Sequence, residues 1–220
     1  MRIQRLGVAT TLAALSISIA ACGGNSSTAS PDNAAPTAMT AAPASTSATP
    51  ATETFGAACG QLPQGDAPGS LTAMGSQPVA TAASTNPLLS TLVTAVKAAN
   101  LVEILNSQRS LTVFAPSNDA FAAAKKAMGD AKFQALLGNK DALGNVLQYH
   151  VLPGRYDRQG LVGKASSSPL TGGKLQFKDT GDIMTVTDGS GATANVLCGN
   201  VPTANATVFI IDKVLMKGAS

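Results

Sequence analysis

Histidine occurs once in this chain, at His150. Any imidazole chemistry therefore rests on that residue alone. Cysteine occurs three times, at Cys22, Cys59 and Cys198. If the Cys22 sulfur is taken up by a lipid, two thiols and one imidazole could make at most a three-ligand zinc site, and they lack the close paired spacing of one, so no metal site is expected. A Gly-x-Ser-x-Gly nucleophile turn is missing, as are internal repeats, and no cofactor is expected. Lysine and arginine are absent between Arg5 and Lys97. The remaining basic residues are scattered, which excludes the concentrated basic face that nucleic-acid binding requires. One apolar run stands out, Leu6 to Ala21. Its 16 residues fall short of the ~20 that span a bilayer as a helix.

What is present at the start is the pattern of an export signal. Arg2 and Arg5 supply a positive beginning, the apolar run follows, and small residues precede Cys22. Ile19-Ala20-Ala21-Cys22 matches a bacterial lipoprotein cleavage box, with Gly23 and Gly24 after it. Cleavage before Cys22 would remove residues 1–21 as a signal peptide and leave the Cys22 sulfur to carry a diacylglycerol. The other reading is an ordinary signal peptide with a stray cysteine. A single acyl chain holds a membrane only reversibly, whereas two or three hold it stably.

Residues 22–58 are almost entirely alanine, serine, threonine and proline. Such a segment cannot offset its ordering entropy by burial, so it reads as a disordered tether with a reach of roughly 35 Å as a flexible coil. Its Thr/Pro content makes it a candidate for O-glycosylation. Without Arg2 and Arg5 the chain carries 13 basic and 12 acidic residues, close to neutral. With Cys22 lipidated, Cys59 and Cys198 remain as one pair, and in an exported protein a disulfide between them is expected. The alternative is two free thiols.

Residues 59–71 form a lead-in anchored by that disulfide, and periodic large apolar residues begin at about residue 72. The remaining chain is enough for one domain with its own core. In NPLLSTLVTAVKAAN, Asn86 is placed to cap a helix with Pro87 at its first position. Leu88, Leu89, Leu92, Val93 and Val96 then share one face. Asn100 suits the left-handed conformation that ends the helix. A second short helix, LVEILNS, is expected to bury Leu101, Ile104 and Leu105. Leu111, Val113 and Phe114 mark a buried strand stopped by Pro116. Ser117 caps the next helix, with Asp119 in its first turn. DALGNVLQ reads as another helix that gives way to a strand in LQYHVLPG. KLQFK, DIMTVTD and ATANVL read as strands separated by DTGD and DGSG turns, and ATVFIIDKVLM supplies a strongly apolar closing strand. Helices first and strands clustered last is an α+β pattern.

Three segments, TVFAPSNDAF (112–121), YHVLPG (149–154) and ANATVFIIDKVLM (204–216), together resemble the fasciclin domain in content, order and spacing, over roughly residues 72–217. With the lipoprotein box, the tether, PVATAASTNPLLSTL and VLCGNVPTANATV, the chain is similar to the mycobacterial cell-surface lipoprotein branch of that family and its secreted relatives. The resemblance implies a wedge or twisted sandwich of about seven strands with helices packed along one edge. It implies paired domain cysteines and a module for adhesion or recognition without enzymatic activity. The expected protein is thus a surface antigen held to the membrane, outward-facing, through Cys22, with release of a soluble form left open and with a protein partner on a host cell or matrix. The alternatives are an envelope carrier of small molecules or lipids, which would need an apolar cavity, and a hydrolase centred on His150.

His150 admits three roles. As a base it would need a nucleophile and an acid, for which Ser117 and Asp119 are available. As a core residue it would need both ring nitrogens satisfied, with Asp119 or a nearby backbone carbonyl as partner. As an adhesion epitope it would act with Tyr149, provided Tyr149 is partly exposed. Asn118 and Asn205 read as turn and cap residues.

Overall fold

The computed structural model describes residues 53–218. The signal segment, Cys22 and the tether up to residue 52 lie outside the described residues. A 3-10 turn at Ala57–Gln61 leads to helices α1 (Leu71–Gly75) and α2 (Val79–Ser84). A second such turn, Pro87–Leu89, opens α3 (Ser90–Ala98), and α4 (Val102–Ser107) follows. Next come β1 (Leu111–Pro116), α5 (Asn118–Met128), α6 (Asp130–Gly138), α7 (Lys140–Tyr149), β2 (Val151–Pro153) and α8 (Arg158–Lys164). The chain ends in β3 (Ser166–Ser167), β4 (Leu175–Asp179), β5 (Met184–Thr187), β6 (Thr193–Pro202) and β7 (Ala206–Ile211).

The α+β expectation holds, and among the described residues the strands number seven. They form one sheet in the order β2-β1-β7-β6-β5-β4-β3. β1 and β7 run parallel, from Leu111 beside Ala206 to Pro116 beside Ile211. The other neighbours are antiparallel. β6 is ten residues long and its register against β7 shifts twice, on either side of Cys198. Such bulges bend a strand and raise its twist, and here they let β6 serve both halves of the sheet.

β1 and β7 are buried along their whole length. Strands covered on both faces read as continuous apolar runs, which is why TVFA and TVFII carry no alternation. The pleat sends alternate residues to two different cores. Leu111, Val113, Val208 and Ile210 join the helices in one cluster. Phe114, Phe209 and Ile211 join Tyr149, Leu175, Phe177 and Met184 in the other. There Phe114 lies 5.6 Å from Phe209 and 5.8 Å from Phe177 between ring centroids, within the range of favourable aromatic pairs.

The expected helix signals are realised. The Asn86 side chain accepts the Leu88 N–H at 3.0 Å, with Pro87 at the first position. Asn100 ends α3 at φ 56°, and the Leu101 N–H reaches back to the Val96 carbonyl at 3.0 Å. Ser117 caps α5 by accepting the Ala120 N–H at 3.2 Å. One burial expectation fails. Ile104 is 50% exposed, while Leu101 and Leu105 of the same helix are buried. Only six residues long, α4 packs chiefly on α2, and Ile104 stands at the edge of a cavity.

Cys59 and Cys198 form a disulfide that closes a span of 139 residues. The pairing joins the lead-in to β6, as expected. Phe55 continues the join: its N–H donates to the Gly199 carbonyl at 3.3 Å, and the Gly199 N–H donates back at 2.8 Å. Only glycine fits there, because a Cβ at Gly199 would lie 2.4 Å from the Phe55 ring. The piece 53–218 holds both cores, all seven strands and the disulfide within one compact unit, so it is a self-sufficient folding unit.

Candidate functional site

The three motif segments meet at His150. α7 ends there, so the imidazole leaves the last helical turn and enters the junction between β1 and the chain that follows β7. Its Nδ1 lies 2.8 Å from the Val146 carbonyl oxygen, a hydrogen-bond acceptor, so this nitrogen carries the proton. Its Nε2 accepts the Leu215 N–H at 2.9 Å. The His150 carbonyl accepts the Phe114 N–H at 2.8 Å. One residue thereby ties the first motif, its own helix and the closing motif together. The side chain is 2% exposed. Burial pushes its pKa down to about 4, against the upward pull of the Val146 carbonyl and the negative charge of Asp188.

This geometry decides between the roles open to His150. Of the two partners expected for it, the backbone carbonyl is used and Asp119 is not. Asp119 sits exposed in the first turn of α5. The Ser117 hydroxyl is occupied in capping that helix. Both imidazole nitrogens are bound to backbone, so Ser117, His150 and Asp119 do not assemble as a catalytic triad.

Tyr149 is 1% exposed, so its phenol is not offered to a partner. The hydroxyl donates to the Lys174 carbonyl at 3.0 Å and accepts the Gly189 N–H at 2.9 Å. Burial raises its pKa despite the Gly189 N–H, and the nearby Asp188 charge adds to the rise. Asn118 ties helices: its carbonyl oxygen accepts the Thr91 N–H at 3.0 Å, and its amide donates to the Pro87 carbonyl at 2.9 Å.

Asn205 does more than a turn residue would. Its oxygen accepts the Val79 N–H at 2.8 Å, and its amide donates to the carbonyls of Leu105 at 2.8 Å and Gln108 at 2.7 Å. It thus clamps the start of α2 and the end of α4 to the start of β7. Replacing Asn205 by alanine leaves buried backbone groups unpaired and is expected to cost about 2 kcal/mol. Urea denaturation of the variant measures this, and an unchanged midpoint contradicts it.

Two features were not singled out from the sequence. Asp188 is buried and collects the N–H groups of Ser190, Ala192 and Met216 and the Ser190 hydroxyl, all within 3.0 Å. The DGSG turn was its only local signal. The second is an apolar cavity of about 330 Å³ between α2, α3, α4 and the β1/β2 edge, with His150 among its lining residues. Val93 and Ile104, both expected to face the core, line it. Among the described residues no helix is long and apolar enough to cross a membrane.

A seven-stranded sheet with one parallel pair, β1 and β7, joined to its helices through a buried Tyr-His step, defines a fasciclin-type domain. The model of the Fasciclin domain family matches residues 87–217, and the chain belongs to that family. It is 38% identical over 157 residues to Immunogenic protein MPB70 of Mycobacterium bovis, covering 69% of this chain and 75% of that protein. It is also 38% identical over 176 residues to Cell surface glycolipoprotein MPB83 of the same species, covering 76% and 74%. Protein sll1483 of Synechocystis is 40% identical over 133 residues, 60% of this chain and 68% of that one. Among solved structures, the FAS1 domain pair of the insect cell adhesion molecule Fasciclin I superposes with a TM-score of 0.56 at 15% identity. That match covers 64% of this chain and 51% of that one, and it bears on the fold alone.

Proposed function

We propose that this protein is an outward-facing surface antigen, anchored through a lipid on Cys22, whose fasciclin domain recognises proteins on a host cell or matrix. The observation that carries the reading is family membership together with relatives named as a cell surface glycolipoprotein and an immunogenic protein. The lipoprotein box at Cys22 and the Ala/Ser/Thr/Pro tether suit that placement. A disulfide-closed domain with its motif residues consumed internally offers a rigid surface, and rigidity lowers the entropic cost of binding. Tyr149 and His150 support that surface from beneath; recognition belongs to exposed residues around them.

Two measurements test this. The oxidised 53–220 domain, used as bait in host-surface and matrix extract, should capture a saturable protein partner that reduced, unfolded bait does not. Equal capture by both, or by neither, counts against recognition. Cys22→Ala should move the protein from the membrane fraction to the medium, and unchanged partitioning would remove the anchor.

A further inference from the structure

An apolar cavity lies beside His150. Its volume of about 330 Å³ falls in the range of small-molecule sites, roughly 300–1,000 Å³. Its walls are aliphatic, with Leu92, Val96, Leu105, Val113, Leu147 and Val151 among them. Among the described residues Phe114 is the one phenyl-bearing residue in the lining. Ile104 and Leu170 also line it, 50% and 44% exposed. They are two of the three exposed large hydrophobic side chains among the described residues. A cluster of exposed apolar side chains around a concavity marks a binding site.

The polar groups of the lining narrow the ligand. Lys97, exposed in the last turn of α3, is the only charged residue of the lining among the described residues. No carboxylate lines the cavity, and Lys97 takes part in no salt bridge among the described residues. His150 contributes no free donor or acceptor, since both its nitrogens are bound to backbone.

We infer that this cavity binds a single aliphatic chain bearing an anionic head, a fatty acid, with the chain between α2, α3 and α4 and the carboxylate at Lys97. Volume sets the chain length. An apolar cavity of about 150 Å³ accepts six-carbon benzene, so about 330 Å³ accommodates about twelve carbons, one chain and not two. That excludes the paired chains of an intact phospholipid. The aliphatic lining favours a flexible chain over a flat aromatic ligand. The Asn205 clamp holds Val79, Leu105 and Gln108, all lining residues, in place, so the cavity keeps its shape without a ligand.

The test uses the 53–220 domain with labelled methyl groups, titrated with dodecanoate, dodecanol and vesicles of anionic phospholipid. Dodecanoate is expected to shift the cavity methyls of Leu105, Val113 and Val151 saturably, and dodecanol to bind more weakly. Lys97→Glu should weaken dodecanoate by about threefold to tenfold, the range for reversing one solvent-side charge contact, and leave dodecanol unchanged. Val93→Phe, which places a ring in the cavity, should abolish binding of both while the remaining methyl spectrum stays dispersed. No shift at millimolar dodecanoate, or shifts confined to other methyls, would overturn the inference. So would vesicle binding without binding of monomeric dodecanoate, or equal affinity for dodecanoate and dodecanol.

Discussion

Replacing Cys59 by serine together with Cys198 by alanine is expected to lower the unfolding free energy by up to about 5 kcal/mol, the chain-entropy ceiling for so long a loop. The bond spans 139 residues, which is most of the folded unit. Without it the unfolded chain regains the freedom of that loop, and the lead-in is held to β6 only by the Phe55–Gly199 pair and local packing. Alanine is the suitable replacement at Cys198, which is fully buried in β6, because a hydroxyl there would add an unpaired polar group. Domains have total stabilities of roughly 5–15 kcal/mol, so the loss is a large fraction of the whole. Urea unfolding of the oxidised wild type, the reduced wild type and the double variant measures it. Coincident midpoints for all three would show that the bond is dispensable.

Acid is expected to remove a further roughly 3 kcal/mol through His150 alone. The native imidazole holds its pKa at about 4 because it is buried, while the unfolded chain has the ordinary value near 6.5. Above pH 6.5 both states are neutral at this residue, and stability does not depend on it. As the pH falls from 6.5 to 4 the unfolded state takes a proton that the native state refuses, so stability drops. Below pH 4 the native imidazole is protonated too and this contribution levels off. The Arg158–Asp179 pair acts in a lower window, because its hydrogen bond with Arg158 depresses the Asp179 carboxyl below its usual value, and that contribution fades only as the pH falls through the depressed pKa. Chemical unfolding at a series of pH values, with His150→Gln alongside, separates the two. Parallel curves for wild type and variant from pH 7 to pH 4 would exclude the imidazole as the source.

Both results depend on residues whose importance was visible in the sequence and whose partners were not. The scarcity of cysteine and histidine singled out Cys59, Cys198 and His150. The partners of His150 are backbone groups, and backbone groups have no signature in side-chain identity. Val146 lies one helical turn before it and is the local partner. Leu215 is 65 residues away and reaches it only because the chain beyond β7 folds back past the end of α7. Asp119 has the right chemistry and the wrong place: it lies in the first turn of α5, where its side chain is exposed to solvent.

The amphipathic periods carried α3 and α7, and the unbroken apolar runs carried β1 and β7, because burial on one face or on two leaves a repeat in the chain. Short elements with little periodicity, such as α1, α2, α8 and the two-residue β3, had no such trace. The parallel pairing of β1 with β7 is likewise silent, since a ladder of backbone hydrogen bonds does not depend on side-chain identity. The cavity is the clearest case. Val93 and Ile104 carry the apolar character of core positions, yet they line a cavity and Ile104 stays half exposed, because α2 and α4 are held by Asn205 at a distance their own side chains do not fill. Sequence by itself determined the cysteine pair, the α+β class and the family. Tertiary structure alone decided that His150 and Tyr149 are core residues and that a chain-sized apolar space lies beside them, because packing gaps and backbone partners arise from how distant segments meet.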